Sequence, residues 1–264
     1  MGLRESFDVP ILIVCRDRLT PLRELVQWLE AAGHQEIVMI DNDSTYEPLL
    51  GYYESTLHRV IRLAENAGPY KSIWDNKSVA ELTDKRPFVV TDSDVVPDEM
   101  CPFDGVDYLG WVLQRFPGYV KAGFGLRIDD LPTWYELSEN VRDWESNYWL
   151  RPIRRGLYHA KIDTTFALYR AGSAFSYGPA IRTGAPYVAR HAPWYSNSAQ
   201  PSAEELHFRS RCRRDIAHWD VGRLHDAAPE KLSAYDRLKW AAHARFKVRQ
   251  AHGVPRDFGG WGPT

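Results

Sequence analysis

The feature that most constrains the fold of this chain is a series of four short predicted strands, each followed by polar residues. These runs span residues 9–14, 36–40, 58–63 and 88–91, and the first, second and fourth are mainly apolar. Helical patterns separate them, and the first helix is predicted to begin at Thr20-Pro21, with Thr20 as its cap, and to end at Gly33. Runs that are apolar throughout are typical of strands covered on both faces. The alternation therefore predicts an α/β fold with a mostly parallel central sheet flanked by helices.

The polar residues after the four runs are predicted to meet at one edge of this sheet. They are Cys15 to Arg18, Asp41 to Asp43, Asn66, and Asp92-Ser93-Asp94. Open α/β sheets bind ligands beyond the carboxyl ends of their strands. We therefore expect a ligand site at this edge.

The pattern changes after Asp94. It predicts a helix at 106–116, strands at 119–126 and 166–169, a helix near 134–148, and a capping box at Ser202 that opens another helix. These elements are expected to complete one large domain.

Composition excludes several other functions. The 264 residues carry a formal net charge of −2, so no overall field attracts nucleic acid. The three cysteines are scattered and form no CxxC pair, which favours a reducing cytoplasm over a disulfide framework or a structural zinc site. The first residues lack the apolar stretch of a secretory signal, and no apolar run reaches the roughly 20 residues of a membrane span. We expect a cytoplasmic protein.

The segment FVVTDSDVVP brings two carboxylates, one residue apart, to the end of a buried strand. Mg²⁺ and Mn²⁺ prefer hard oxygen ligands and commonly combine one or two carboxylates with phosphate oxygens. The segment therefore predicts a divalent metal at Asp92 and Asp94. The alternative is a pair of carboxylates in a solvated turn.

The order VPILIVCRDR, IVMIDNDST, AENAGPY and FVVTDSDVVP resembles the GT-A fold, and most closely the family 2 glycosyltransferases, over roughly residues 9–194. The resemblance implies a Rossmann-like, metal-dependent glycosyltransferase with Mn²⁺ or Mg²⁺ as cofactor. It further implies a nucleoside-diphosphate sugar as donor, with uridine expected, and a hydroxyl of a saccharide or lipid-linked acceptor. Inverting transfer in polysaccharide or glycoconjugate assembly is the expected role.

The resemblance also assigns roles to the residues at the sheet edge. The loop with Cys15, Arg16 and Arg18 is expected to contact the nucleotide, and so is Asp41. Asp92 would contact the ribose or the metal, and Asp94 would bind the metal. Ser93 lies between them in the sequence.

A late histidine often completes the metal site in this family. His191 is the best match, with an ordinary surface or capping role as the alternative and with His159, His207 and His218 in reserve. Lys71 and Arg190 could hold the diphosphate or be merely solvated, and Asn66 could contact the donor or only form a turn.

The resemblance places the general base between the acidic pair and the late histidine. Asp163 fits this position, although Ile162 replaces the usual first acid, and it could instead cap the amides of Thr164 and Thr165. Asp129 and Asp130 are alternatives, or else they form an N-cap. Glu145 is a third option, since nearby aromatic residues would raise its pKa. The alternative for Glu145 is a structural role in a salt bridge to Arg142 or Arg151.

The predicted organisation is a catalytic domain at 1–228 followed by a basic segment at 229–264. Within the domain, residues 9–95 would form the nucleotide-binding half and 96–228 the acceptor half. The basic segment predicts an amphipathic helix that either packs on the domain or contacts an anionic membrane surface.

Two rival functions stay open. One is a non-catalytic nucleotide-binding module with a transferase-like fold. The other is a phosphatase of the haloacid-dehalogenase type, which FVVTDSDVV also matches, although that motif normally closes the first strand of its domain and here closes the fourth. Sugar nucleotidyltransferases share the first-half architecture, but CRDRLTP lacks their glycine-rich loop. The sequence does not define the oligomeric state.

Overall fold

The computed structural model describes residues 9–212, and residues 1–8 and 213–264 lie outside the description. The predicted basic segment at 229–264 and the reserve ligand His218 are among the residues left out. Among the residues described, no helix is long and apolar enough to cross a membrane.

The described chain forms one sheet with helices on both faces. The strands are β1 (Ile11–Cys15), β2 (Ile37–Asp41), β3 (Arg59–Arg62), β4 (Phe88–Asp92), β5 (Val95–Pro97), β6 (Lys121–Leu126), β7 (Pro152–Arg154), β8 (Leu157–His159), β9 (Ala167–Tyr169) and β10 (Ala180–His191). The helices are α1 (Thr20–Ala31), α2 (Glu47–Ser55), α3 (Gly68–Trp74), α4 (Lys77–Thr83), α5 (Gly105–Arg115), α6 (Ser138–Glu145) and α7 (Ala203–Arg211), with 3₁₀ turns at Ser146–Trp149 and Ala192–Tyr195.

The first half of the sheet is the parallel unit that the sequence predicts. Strands β3, β2, β1 and β4 are neighbours in that order, and every pairing among them is parallel. Cys15 pairs with Asp41, and Val14 pairs with Asp92. The carboxyl ends of β1, β2 and β4 therefore lie side by side, and the predicted Rossmann-like α/β fold is confirmed.

The second half of the sheet is mixed. Strand β9 lies between β4 and β6 and is antiparallel to both, whereas β10 runs parallel to β6. The short strands β5 and β8 are antiparallel to β10, and β7 pairs with β8. The sequence interpretation missed β5, β7, β8, β10, α2 and α4. The helix predicted near 134–148 is shorter and ends in a 3₁₀ turn.

The core follows from the apolar strands. In β1, Ile11 and Ile13 face one buried cluster, which α1 and α5 cover, and Leu12 and Val14 face the other, which α3 and α4 cover. Alternate side chains of a strand point to opposite faces, so a strand between two helix layers must be apolar at every position. The continuous apolar run at residues 9–14 satisfies this requirement.

Candidate functional site at the carboxyl edge of the sheet

The loops after β1 and β2 are fastened to each other by Asp17. This residue is fully buried and has a left-handed backbone conformation, with φ of 49°. Its Oδ1 accepts hydrogen bonds from the amides of Thr45 (2.6 Å) and Tyr46 (2.9 Å), and its own amide donates to Ser44 Oγ (3.0 Å). The sequence analysis gave Asp17 no role of its own, because an acidic residue in a polar loop carries no specific signal.

Most of the predicted nucleotide contacts in these loops are engaged by protein groups. Asp41 is buried, and its carboxylate accepts from the amide of Ser44 (3.2 Å) and from Arg62 Nε (3.4 Å). Arg16 Nη1 donates to the carbonyls of Asn42 and Asp43. The loops are therefore held by their own side chains.

Cys15 opens the loop that is expected to contact the nucleotide, but its side chain belongs to the core. Its thiol is fully buried and donates to the carbonyl of Ile13 (3.5 Å), and burial raises its pKa. A nucleotide contact at Cys15 would therefore have to involve the backbone.

The two predicted metal-binding aspartates lie at this edge but differ in environment. Asp92 Oδ2 accepts a hydrogen bond from Thr164 Oγ1 (2.7 Å), whereas Asp94 Oδ2 forms an ion pair with Arg18 Nη1 (2.5 Å). Burial, followed by the charges of Asp94 and Asp163, raises the pKa of Asp92 well above its usual value. Burial would also raise the pKa of Asp94, but His191 and Arg18 outweigh it and hold that pKa below its usual value.

Strand pairing brings His191 to the acidic pair. The antiparallel ladder of β5 and β10 places His191 opposite Val95, and the amide of Ala192 donates to the carbonyl of Asp94 (2.8 Å). His191 Nε2 consequently lies 3.7 Å from Asp94 Oδ1. The sequence placed His191 correctly beside this pair, although it did not predict the strand that carries it.

The three predicted metal ligands, Asp92, Asp94 and His191, do not form a metal-binding group in the described structure. In residues 9–212, no group of three histidine, cysteine, aspartate or glutamate side chains could hold a metal ion. The guanidinium of Arg18 takes the cationic position beside Asp94, while Thr164 donates a hydrogen bond to Asp92. Metal binding by these residues stays a prediction.

Helix α7 supplies the other partners of the loop after β1. Arg18 Nη2 pairs with Glu205 (2.8 Å), and its guanidinium lies 3.8 Å from the ring centroid of Phe208. Glu204 accepts from the amides of Leu19 and Thr20 at the start of α1. The expected cap at Thr20 is therefore wrong, because a carboxylate from α7 satisfies this end of α1.

Helix α7 also contacts these loops through His207, one of the histidines held in reserve as a metal ligand. His207 Nε2 lies 3.0 Å from Thr45 Oγ1 and 3.7 Å from Asp17 Oδ1. The cap predicted at Ser202 is confirmed, since its Oγ accepts from the amide of Glu205 (3.1 Å). Helix α7 thus covers both loops that were expected to bind the nucleotide.

A buried lysine holds the segment that carries Asp163. Asp163 Oδ1 accepts from the amide of Thr165 (3.2 Å), as the capping alternative predicts. Lys121 Nζ donates to the carbonyl of Ile162 (2.7 Å) and to Tyr169 Oη (2.8 Å), and burial lowers the pKa of Lys121 to about 8. The sequence analysis missed Lys121, although a lysine at the start of the apolar run KAGFGL was a visible signal.

Asp129 and Asp130 belong to a separate ionic cluster. Arg127 Nε lies 3.1 Å from Asp129 and 3.2 Å from Asp130, and Tyr195 Oη donates to Asp130 (2.6 Å). Arg190 joins the same cluster through Asp98 (2.9 Å). The charge of Arg190 is therefore engaged by carboxylates, and its contact with a diphosphate stays a prediction.

Glu145, the third candidate base, forms a buried ion pair with Arg182 (2.7 Å), a partner that the sequence analysis did not name. Its role as a base stays a prediction.

The remaining predicted contacts lie around the edge of the sheet. Ser93 is buried and its amide donates to the carbonyl of Val14 (2.9 Å). Asn66 Oδ1 accepts from the amide of Gly68 (3.0 Å), which is the turn-forming alternative, and Lys71 is exposed on α3.

Neither a family model nor a curated protein matches the sequence. Among solved structures, the chain is similar to HddC from Yersinia pseudotuberculosis, with 13% identity, a TM-score of 0.39, and coverage of 78% of this chain and 87% of that chain. It is also similar to S. aureus TarS 1-349, with 12% identity and a TM-score of 0.38 over 62% of this chain and 47% of that chain. The chain thus spans about half of the TarS structure.

A third similar structure is described as UDP-glucose pyrophosphorylase complexed with UDP-glucose. Identity is 12% and the TM-score is 0.34, over 66% of this chain and 74% of that chain. The α/β fold itself is established by the order and pairing of the strands.

Proposed function

We propose that this protein is a glycosyltransferase that takes a sugar from a nucleoside-diphosphate donor and passes it to a hydroxyl acceptor. The observation that supports the proposal is the meeting of Arg18, Asp92, Asp94, Thr164 and His191 at the carboxyl edge of the parallel strands. Open α/β sheets bind ligands at this place. The guanidinium of Arg18 has the planar donor geometry that suits phosphate oxygens.

The proposal divides the work between the two halves of the chain. Residues 9–95 bind the donor, with UDP as the expected nucleotide, and the half that begins at residue 96 binds the acceptor. Asp163 accepts the proton of the acceptor hydroxyl as its oxygen attacks the anomeric carbon, which gives inversion in a single displacement. Thr164, the residue after Asp163, donates to Asp92 Oδ2 (2.7 Å), so the segment of the proposed base lies beside the proposed donor site.

Metal dependence is the finer part of the proposal. Donor binding and proton transfer to Asp163 are proposed without Mn²⁺ or Mg²⁺, because Arg18 holds the cationic position beside Asp94. Thermal shift with UDP, GDP and ADP, each with and without Mn²⁺, tests donor binding and metal dependence together, since a ligand that binds only the folded state raises its stability. The absence of any shift with all three nucleotides would contradict the proposal.

The base is tested by substitution. Asp163→Asn is expected to lower kcat by at least about 100-fold, the usual contribution of a general base, while donor affinity stays unchanged. Asp129→Asn is the matched control, because Asp129 lies in the separate ionic cluster with Arg127. Full turnover by Asp163→Asn, or equal losses in both variants, would remove Asp163 from this role.

A non-catalytic nucleotide-binding module is the second candidate. Two observations favour it: Arg18 is bound to Asp94 and Glu205, and α7 covers the loops after β1 and β2. Nucleotide binding without hydrolysis or transfer of any donor sugar would favour this module over the enzyme.

A further inference from the structure

A patch of aromatic side chains lies beside the segment that carries Asp163. This aromatic patch consists of Tyr70 and Trp74 on α3 and of Phe175 and Tyr177 in the loop before β10. The ring centroids of Tyr70 and Phe175 are 4.1 Å apart, and those of Phe175 and Tyr177 are 5.1 Å apart. The hydroxyls of Tyr70 and Tyr177 lie 3.0 Å from each other, and Tyr177 is 44% exposed. The patch therefore offers solvent an aromatic surface with two hydroxyls at its border.

The aromatic patch is fixed to the proposed catalytic segment. The amide of Ile162 donates to the carbonyl of Tyr177 (3.0 Å), so Tyr177 lies against the residue that precedes Asp163. Lys121 Nζ, which holds Ile162, lies 5.7 Å from the ring centroid of Phe175. On the other side, Trp74 Nε1 donates to the carbonyl of Ser173 (3.1 Å).

The electrostatic environment of Tyr70 also relates the patch to Asp163. Burial is the main cause of its raised pKa, and the carboxylates of Asp163 and Asp92 raise it further. This effect agrees with the hydrogen bond between Ile162 and Tyr177, which places the segment of Asp163 beside the patch.

A neutral sugar ring is the ligand class that these features suit. The face of an aromatic ring is electron-rich and attracts the weakly positive C–H groups that line one face of a pyranose. Binding sites of this kind combine an apolar surface with a few polar groups that set the orientation. Here the two tyrosine hydroxyls can bond the sugar hydroxyls, and Tyr177 accepts a backbone hydrogen bond from Ile162, the residue before Asp163.

We propose that the aromatic patch is a saccharide-binding subsite, in which the ring of Tyr177 stacks on a neutral sugar of the acceptor and presents one of its hydroxyls to Asp163. The proposal rests on the proposed function, whose acceptor it specifies.

The test is direct saccharide binding by the full chain. Saturation-transfer NMR with methyl β-glucopyranoside, methyl β-galactopyranoside and cellobiose measures Kd for each variant. Tyr177→Ala is expected to raise Kd about tenfold, in line with the worth of an aromatic contact, while Tyr177→Phe keeps the ring and stays within about threefold of the wild type. Trp134→Ala is the matched control, because Trp134 is also exposed, at 60%, but contacts Tyr195 away from the patch.

The outcomes separate the subsite from the proposed function. Absence of binding by the wild type to all three probes, or unchanged binding by Tyr177→Ala, overturns the subsite. Equal losses in Tyr177→Ala and Trp134→Ala also overturn it. Nucleotide binding by the same samples, followed by thermal shift, is the independent readout: nucleotides that bind without saccharides refute the subsite alone, and saccharides that bind without nucleotides refute the proposed donor.

Discussion

The buried ion pair of Glu145 and Arg182 gives the most quantitative prediction. Glu145 Oε2 lies 2.7 Å from Arg182 Nη1, and the two side chains are only 6% and 4% exposed. Arg182 Nε also donates to the carbonyl of Lys161 (2.9 Å), and its guanidinium lies 4.0 Å from the ring centroid of Tyr148. Replacement of Glu145 by Gln keeps the shape but leaves the charge of Arg182 in the interior without its counter-ion.

The expected loss follows from the cost of an uncompensated buried charge. Removal of one partner of a buried pair typically costs about 3–5 kcal/mol, and the amide oxygen of Gln can still accept a hydrogen bond, so we expect about 3 kcal/mol for Glu145→Gln. At about 2–4 °C per kcal/mol for a chain of this size, Tm should fall by roughly 6–12 °C. Glu139→Gln is the matched control on the same helix, because Glu139 pairs with Arg142 but is 60% exposed. An exposed pair contributes about 0–1 kcal/mol.

Urea denaturation followed by tryptophan fluorescence measures both losses. The double variant Glu145→Met with Arg182→Met should recover most of the stability, since apolar replacement of a whole buried pair is often neutral. If Glu145→Gln and Glu139→Gln lost the same free energy, within about 0.5 kcal/mol, the reasoning from burial would be refuted.

Two further predictions concern Gly123 and Lys121 of β6. Gly123→Ala should lose about 1–3 kcal/mol, because the added Cβ would clash with the carbonyl oxygen of Phe166. Gly51→Ala on α2 is the control: its Cβ meets nothing within 4 Å, so it should gain about 0.5–1 kcal/mol in urea denaturation. The pKa of Lys121 is about 8 in the folded chain, below its ordinary value, so the unfolded chain binds more protons above that pH and stability rises as the pH increases. Between pH 8 and 9.5 this contribution is about 1–2 kcal/mol, and Lys121→Met should lack it; equal pH slopes in both proteins would contradict the assignment.

The sequence was informative about the first half of the fold for a physical reason. Three of its strands, β1, β2 and β4, are covered on both faces, so their apolar runs stand out from the helical patterns between them. Local signals were also reliable where one residue decides the backbone, as at Gly33 with φ of 86°. The second half was harder, because β5, β7 and β8 have only three residues each and carry too little pattern to recognise.

The candidate site shows the same division. Asp92, Asp94 and His191 could be named from the order of the motifs, and the structure brings His191 to Asp94. The pairing of Arg18 with Asp94 and Glu205 could not be predicted, because it joins residues 76 and 187 positions apart in the chain. The spacing of residues in a motif does not predict contacts between residues so far apart in the sequence.

The sequence by itself determined that this chain forms parallel strands whose carboxyl ends place acidic residues at one edge, because apolar periodicity and turn residues act locally. Only the tertiary structure decided how the charges at that edge are neutralised. Helix α7 folds back onto the loop after β1, and the guanidinium of Arg18 lies between Asp94 and Glu205. The choice between a metal ion and an arginine as the counter-ion depends on which groups the whole fold brings within a few ångströms, and local sequence does not contain that distance.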